Sequence, residues 1–313
     1  MIQIALCFII SYEHTLNKEK IWREWIEPNK DIIHVYVHCK DASLVKSDWL
    51  KSKCLPQEFI METDYLHVVP AYMSLMLYGL RTDPMNQWFC FLTESCVPII
   101  SPLKFREMFL DNYETSIMSW KKAWWNMTLV KRANLHNFNS EYHLGNAPWF
   151  ILCREDAARC IRYSKVNNKL YRLICQGDVA NESIFAIMLH SQKRLAHVKN
   201  EDSTITDWSR MMTSTSPYLF KRGDSADRKF IEYSLQTKKS AVFLRKVDAS
   251  FPDDVLVSYM YRENNSDTIK KRIFYLEMKI WFLIYIFNKT FVRNMGVGSI
   301  GVMGLYFLYS WLQ

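Results

Sequence analysis

The chain has 313 residues, 49% of them apolar, so one large α/β domain or two small ones can close around a sizeable core. Its eight cysteines include no Cys-x-x-Cys pair and do not follow the spacing of a stapled secreted domain, which excludes a zinc knuckle, a thioredoxin-like site and a disulfide-built mini-fold. The net charge of +8 suits an anionic partner such as nucleic acid, a membrane surface or a diphosphate, but it is spread in runs like Lys121-Lys122 and Lys270-Lys271-Arg272, too short to form a localisation signal.

Ile4–Ile10 is an unbroken apolar run, as expected of a strand buried on both faces. With no basic region before it and no small-residue cleavage site after it, it reads as a first strand and not as a leader. Cys7 and Cys90 lie in such runs, where a reduced thiol acts as a small core residue, and a reducing compartment is expected. Ile33, Val35 and Val37 alternate with His34, Tyr36 and His38, the period of a second strand, and Glu58–Met61 is expected as a third. Pro70 opens a helix that puts Val69, Tyr72, Met73, Met76 and Leu80 on one face. Trp88–Leu92 is a buried strand, after which Ser101 caps and Pro102 opens another helix. This order predicts a doubly wound, Rossmann-like α/β sheet that binds ligands beyond the carboxyl ends of its strands.

Residues 111–145 are polar and aromatic with weak periodicity and are predicted to form a long loop region carrying function or disorder. A strand at Trp149–Leu152, a helix from about Glu155 and a helix from near Glu182 that buries Ile184, Phe185, Met188 and Leu189 are expected next. A polar stretch from His197 to Asp207 leads towards a last strand at Ala241–Val247. The expected division is a domain over 1–254 and a helical extension over 255–313. In that extension Gly296–Leu312 carries no charge and Ile280–Phe287 is apolar and aromatic, but a membrane span needs about 20 residues and at least about 17. Segment 274–313 therefore reads as a membrane anchor, a hairpin lying in the interface or a terminal helix packed on the domain.

At the end of the Trp88–Leu92 strand the chain reads Thr93-Glu94-Ser95-Cys96-Val97-Pro98. Thr93, Glu94 and Ser95 fall at a sheet edge, where a ligand sits or a loop is simply capped. This stretch resembles the Ser-Glu-Ser-Cys-x-Pro signature of the core-2/I-branching β-1,6-N-acetylglucosaminyltransferase and xylosyltransferase family. The resemblance continues in order along the chain: Gly145-Asn146-Ala147-Pro148-Trp149-Phe150, Asn181-Glu182-Ser183-Ile184-Phe185, Thr206-Asp207-Trp208-Ser209 with Ser216-Pro217, and Phe243-Leu244-Arg245-Lys246. It covers roughly residues 4–250 and leaves the tail outside.

The resemblance implies a GT-A-like fold and an inverting, metal-independent transfer of a sugar, N-acetylglucosamine or xylose, from a UDP-sugar to a hydroxyl of a glycan or glycoprotein. Such a displacement needs a carboxylate to take the acceptor proton and cations to hold the departing diphosphate. Glu182 matches the family's catalytic base, and a helix N-terminus would favour its ionised form by up to about 1 kcal/mol. Arg245 and Lys246 match the diphosphate-binding cations. Thr93, Glu94, Ser95, Trp149 and Trp208 are the expected donor and acceptor pocket, the two tryptophans serving either to stack on sugar or to fill the core. No Asp-x-Asp occurs in the chain, and no metal or other cofactor is expected; His34 and His38 share a strand face without a carboxylate cluster.

Two departures from the family pattern stand out: Tyr72 follows Ala71 where an acidic residue is common, and Asn181 precedes Glu182 where Asp is usual. The missing N-terminal anchor argues for a membrane-associated or cytoplasmic protein and not for a Golgi-type lumen. Competing readings are a catalytically inactive descendant that binds glycans or a membrane, and a nucleic-acid-binding α/β protein. No nucleic-acid partner is expected from the resemblance.

Overall fold

The structure is a computed structural model and describes residues 1–126, 131–213 and 215–261. The compact unit runs from Met1 to Met260. Its main sheet contains β1 (Gln3–Ile9), β2 (Ile33–His38) and β3 (Asn86–Thr93). The chain then forms β4 (Val97–Pro98), β5 (Trp120–Lys122), β6 (Leu144–Asn146), β7 (Ile151–Cys153), β8 (Thr204–Thr206) and β9 (Phe243–Arg245). The main sheet has the order β2-β1-β3-β7; its first three strands are parallel, and β7 is antiparallel to β3.

The apolar runs of β1 and β3 need no alternation because both faces of the sheet are buried. Ile4, Leu6, Phe8, Trp88, Cys90 and Leu92 face one core, while Ala5, Cys7, Ile9, Phe89 and Phe91 face the other. Helices α1 (Glu19–Ile26), α2 (Asp48–Lys51), α3 (Val69–Thr82), α4 (Pro102–Asn112), α5 (Arg154–Val166), α6 (Asn168–Cys175), α7 (Ile184–Ser191), α8 (Ser225–Thr237) and α9 (Asp253–Met260) complete the unit. α1, α4 and α9 pack on the first core; α3, α5 and α7 pack on the second. The result is a mixed α/β fold with its sheet covered on both sides, consistent with the doubly wound, GT-A-like expectation.

The first core is fastened by two buried indoles of α1. Trp22 Nε1 donates to the Cys96 carbonyl at 2.9 Å and Trp25 Nε1 to the Ile100 carbonyl at 2.8 Å. Each tryptophan thus fills the core without leaving its polar atom unpaired, and truncating either to Ala would cost about 3–5 kcal/mol. Both bonds reach the segment just beyond β3, so α1 holds the chain where it leaves the main sheet. Ser101 caps α4 as expected, accepting from the Lys104 amide at 3.1 Å.

Several expectations are corrected. Glu58–Met61 is not a strand: Gln57–Phe59 forms a 3₁₀ turn, and Met61 N–H donates to His38 Nε2 at 3.1 Å. The 111–145 region is not one long loop, because β5 pairs with β6 and two 3₁₀ turns follow β5. The polar stretch 197–207 contains β8, and the last strand, β9, lies not in the main sheet but in a second one of order β4-β9-β8. Residues 255–260, assigned by sequence to the tail, belong to α9, which buries Val255, Leu256, Tyr259 and Met260 in the first core. No helix among the described residues is long and apolar enough to cross a membrane, and segment 274–313 lies outside them.

Candidate active site

The site is assembled where β3 hands the chain to the second sheet. After Thr93 a tight turn closes, with the Cys96 amide donating to the Thr93 carbonyl at 3.0 Å, and the Thr93 hydroxyl bonds the Glu94 carboxylate. β4 then pairs antiparallel with β9, Val97 opposite Leu244 and Pro98 opposite Phe243. Beyond β9 the Val247 amide donates to the Ser95 carbonyl at 2.8 Å. Asn17 closes the seam: its amide donates to the Glu94 carbonyl at 3.0 Å and its side chain to the Val247 carbonyl at 2.9 Å. The Thr93-Glu94-Ser95 turn is therefore stitched to the Arg245-Lys246 segment, 150 positions away in the chain, chiefly by main-chain bonds.

Arg245 lies over the Trp149 ring, 5.1 Å from its centroid. Trp149 is half-buried and stacks on Tyr72 at 6.0 Å, whose hydroxyl donates to the Pro148 carbonyl at 2.7 Å. Both Arg245 Nε and Trp149 Nε1 are buried with no hydrogen-bond partner among the described residues. Two buried donors left open carry a desolvation cost of roughly 1–3 kcal/mol each, which an acceptor-rich ligand would relieve. Lys246 donates to Ser216 Oγ at 3.3 Å. Its pKa lies below the usual lysine range because burial disfavours the charge and Arg245 repels it, while Glu94 acts the other way.

Glu182 reaches the same region from the other core. It ends a 3₁₀ turn, Ala180–Glu182, that precedes α7, so it stands just ahead of that helix and not in its first turn. Asn146, from the Gly-Asn-Ala-Pro-Trp-Phe stretch, fixes this turn by donating to the Asn181 carbonyl at 2.9 Å and accepting from the Ala186 amide at 3.2 Å. Glu182 Oε2 accepts from Arg132 Nη1 at 2.7 Å, and the Arg132 guanidinium lies 5.3 Å from the Trp125 ring centroid. Burial pushes the Glu182 carboxyl above the ordinary carboxylate range, outweighing the attraction of Arg132 and Arg245. That corrects the expectation that a helix terminus would set its ionisation: desolvation is the larger effect.

Arg245 is the common neighbour, exerting its charge on Glu182, Tyr72 and Lys246. The structure thus sets Arg245 over Trp149 and within reach of the Glu182 charge, with Lys246 beside Arg245 and Glu94 acting on Lys246. Tyr72 and Asn181 occupy the two positions where the chain departs from the family pattern. Burial pushes the Tyr72 hydroxyl well above the usual tyrosine range, so it serves as a neutral donor. Trp208 is not part of the core; it is 49% exposed. The neighbouring Asp207 is wholly buried and holds its loop, accepting from the Ser209 amide at 2.9 Å and Arg210 Nε at 2.6 Å. Arg210 also donates to buried Asp227 at 3.0 Å and lies 3.9 Å from the Tyr218 ring centroid.

Arg132 is the residue sequence reading did not assign. It sits in a loop 50 positions before Glu182, and the only signal was the mixture of Lys131-Arg132 with Trp124-Trp125. Its placement depends on Gly177: the Ala133 amide donates to the Asp178 carbonyl at 2.9 Å, and a Cβ on Gly177 would lie 2.3 Å from the Asn134 nitrogen. Among the described residues no group of three or more His, Cys, Asp or Glu side chains is arranged to hold a metal ion. His38 is buried, with its pKa lowered to about 4 by desolvation, and acts as a neutral acceptor for Met61.

No curated protein matches the chain significantly. The family model described as Core-2/I-Branching enzyme matches residues 5–232, a span that includes the turn after β3, Trp149, Arg132 and Glu182 and stops before Arg245 and Lys246. By fold, by motif order and by this match, the chain belongs to the Core-2/I-Branching enzyme family of glycosyltransferases.

Proposed function

We propose that the protein is an inverting glycosyltransferase that moves a sugar, N-acetylglucosamine or xylose, from a UDP-sugar to a hydroxyl of a glycan or glycoprotein without a metal ion. The acceptor hydroxyl gives its proton to Glu182 as its oxygen bonds to the anomeric carbon. The bond from that carbon to the diphosphate oxygen breaks, and Arg245 and Lys246 take up the charge of the departing UDP. A carboxylate whose pKa is raised is a stronger base than an exposed one, provided it is ionised at the working pH. Arg132 orients it through the 2.7 Å bond. Trp149 lies between Arg245 and Tyr72 and holds the guanidinium in place for the departing diphosphate.

The observation that carries this reading is the pairing of a buried, partnerless Arg245 Nε with a desolvated Glu182 within reach of its charge. The experiment is UDP release from UDP-N-acetylglucosamine and UDP-xylose, with a glycan acceptor, in the presence of EDTA. Turnover should persist in EDTA and fall by about 10²–10⁴-fold in Glu182→Gln. Loss of turnover on chelation would remove the metal-free mechanism, and full activity in the variant would remove the base.

A further inference from the structure

Away from this site, a groove of about 620 Å³ lies along the outer edge of β2. β2 is the end strand of the main sheet. Ile32 and His38 turn their carbonyls to β1, accepting from Ile4 at 2.7 Å and Ile10 at 3.0 Å, so in this parallel ladder the odd-numbered residues 33, 35 and 37 direct their peptide groups outward. Val37 is already paired there: its amide donates to the Lys53 carbonyl at 2.9 Å, and the Leu55 amide donates to the Val37 carbonyl at 2.8 Å. The 53–55 segment thus starts a fifth strand and makes only this one bridge. Ile33 and Val35 keep their outward peptide groups without a backbone partner among the described residues, and both line the groove.

The groove is not a bland edge. Arg23, Lys30 and Lys53 line it against a single lining acid, Glu27, which pairs with Lys30 at 2.6 Å; Arg23 is held only loosely, 3.8 Å from Glu19. Arg23 leans towards the Trp49 ring, 5.9 Å from its centroid, and Lys53 has no ion-pair partner among the described residues. Open strand edges are normally covered or blunted, since they recruit extended chains. Here one bridge is made and the rest is left open beneath a positive rim.

We propose that this edge is a docking site for an extended acidic peptide segment of a partner protein, which adds a strand beside Ile33–Val35 and sets its carboxylates against Arg23 and Lys53. Main-chain bonds supply affinity and the rim selects for acid, the division of labour of strand-addition recognition. None of the groove's lining residues belongs to the transfer site, so docking and catalysis are separable.

The test uses the full chain and a fluorescein-labelled Glu-Val-Glu-Val-Glu-Val peptide, followed by anisotropy. Binding is expected, weakening as salt is raised and falling at least about tenfold in Lys53→Glu. Val35→Pro removes the outward N–H at a position where an edge strand tolerates proline, and it should lower binding similarly while leaving UDP release unchanged. The same peptide N-methylated at alternate amides, which cannot donate to the edge, should bind at least tenfold more weakly. No binding, equal binding by a Lys-Val peptide, or equal binding by the N-methylated peptide would overturn the proposal. Displacement by a polyuronate with no effect of N-methylation would reassign the groove to an acidic glycan.

Discussion

Gly177→Ala tests whether the position of Arg132, and not merely its charge, sets the reactivity of Glu182. The added Cβ would lie 2.3 Å from the Asn134 nitrogen and 2.6 Å from the Ala133 carbonyl carbon, where ordinary contact begins at 3.4 Å. Both obstacles are backbone, so relief requires the 132–134 and 177–178 segments to part by about 1 Å, a displacement that typically costs about 10²-fold when it reaches catalytic groups. It would stretch the 2.7 Å bond between Arg132 and Glu182 beyond hydrogen-bonding distance. Overpacking itself costs about 1–3 kcal/mol, or about 2–4 °C of melting temperature per kcal/mol in a domain of this size. The assay is kcat/KM for UDP release alongside a thermal melt. Gly79→Ala serves as control, because its Cβ would meet the Phe89 ring at 2.8 Å, about two turns of α3 away from Tyr72. The expected result is a comparable loss of stability in both variants and a roughly 100-fold loss of kcat/KM in Gly177→Ala alone. A folded Gly177→Ala protein with unchanged kcat/KM would refute the positioning role of Arg132.

Three further outcomes follow from the same structure. Because burial raises the Glu182 pKa and Arg132 opposes that rise, kcat/KM should climb with pH through a window above the ordinary carboxylate range, and Arg132→Met should move that limb to higher pH; a limb unmoved by the substitution would separate it from Glu182. Replacing Arg210 by Met strips the counter-charge from Asp207 and Asp227, both wholly buried, and should cost about 3–5 kcal/mol in urea unfolding; a loss under about 1 kcal/mol would mean the network is not load-sharing. His38 titrates near 4 when folded and near 6.5 when free, so the unfolded chain binds more protons between those values. Its contribution is complete above about pH 6.5 and is lost as pH falls towards 4, in all about 3 kcal/mol. His38→Gln should flatten the stability profile across that interval, and an unchanged slope would contradict the assignment.

What the sequence made legible tracks how local the physical signal is. β1 and β3 were readable because strands buried on both faces are uninterrupted apolar runs, and α4 because its cap and first-turn proline are adjacent. β8, Thr204-Ile205-Thr206, is three residues long and polar at both ends, and only its partner β9 makes it a strand. Glu58–Met61 has strand-like composition, yet its backbone bonds close a turn and reach His38 instead. For the candidate site, Glu182, Arg245 and Trp149 were named through motif order. Arg132 was not, since a salt bridge across 50 positions leaves no periodicity to read, and neither was the role of Asn146, whose bonds run to a turn 35 positions later.

The seam formed by Asn17, Glu94, Ser95 and Val247 has a bearing on how such an enzyme diversifies. Two of its three bonds join main-chain groups only, and the third needs a side chain only from Asn17. Side chains at 94 and 95 can therefore be exchanged without breaking the seam, whereas Val247 is held by the first core. On the proposed function, donor preference can drift at 94 and 95 over fixed cations, and Asn17, remote in sequence from every recognised motif, is the position where such drift would stop.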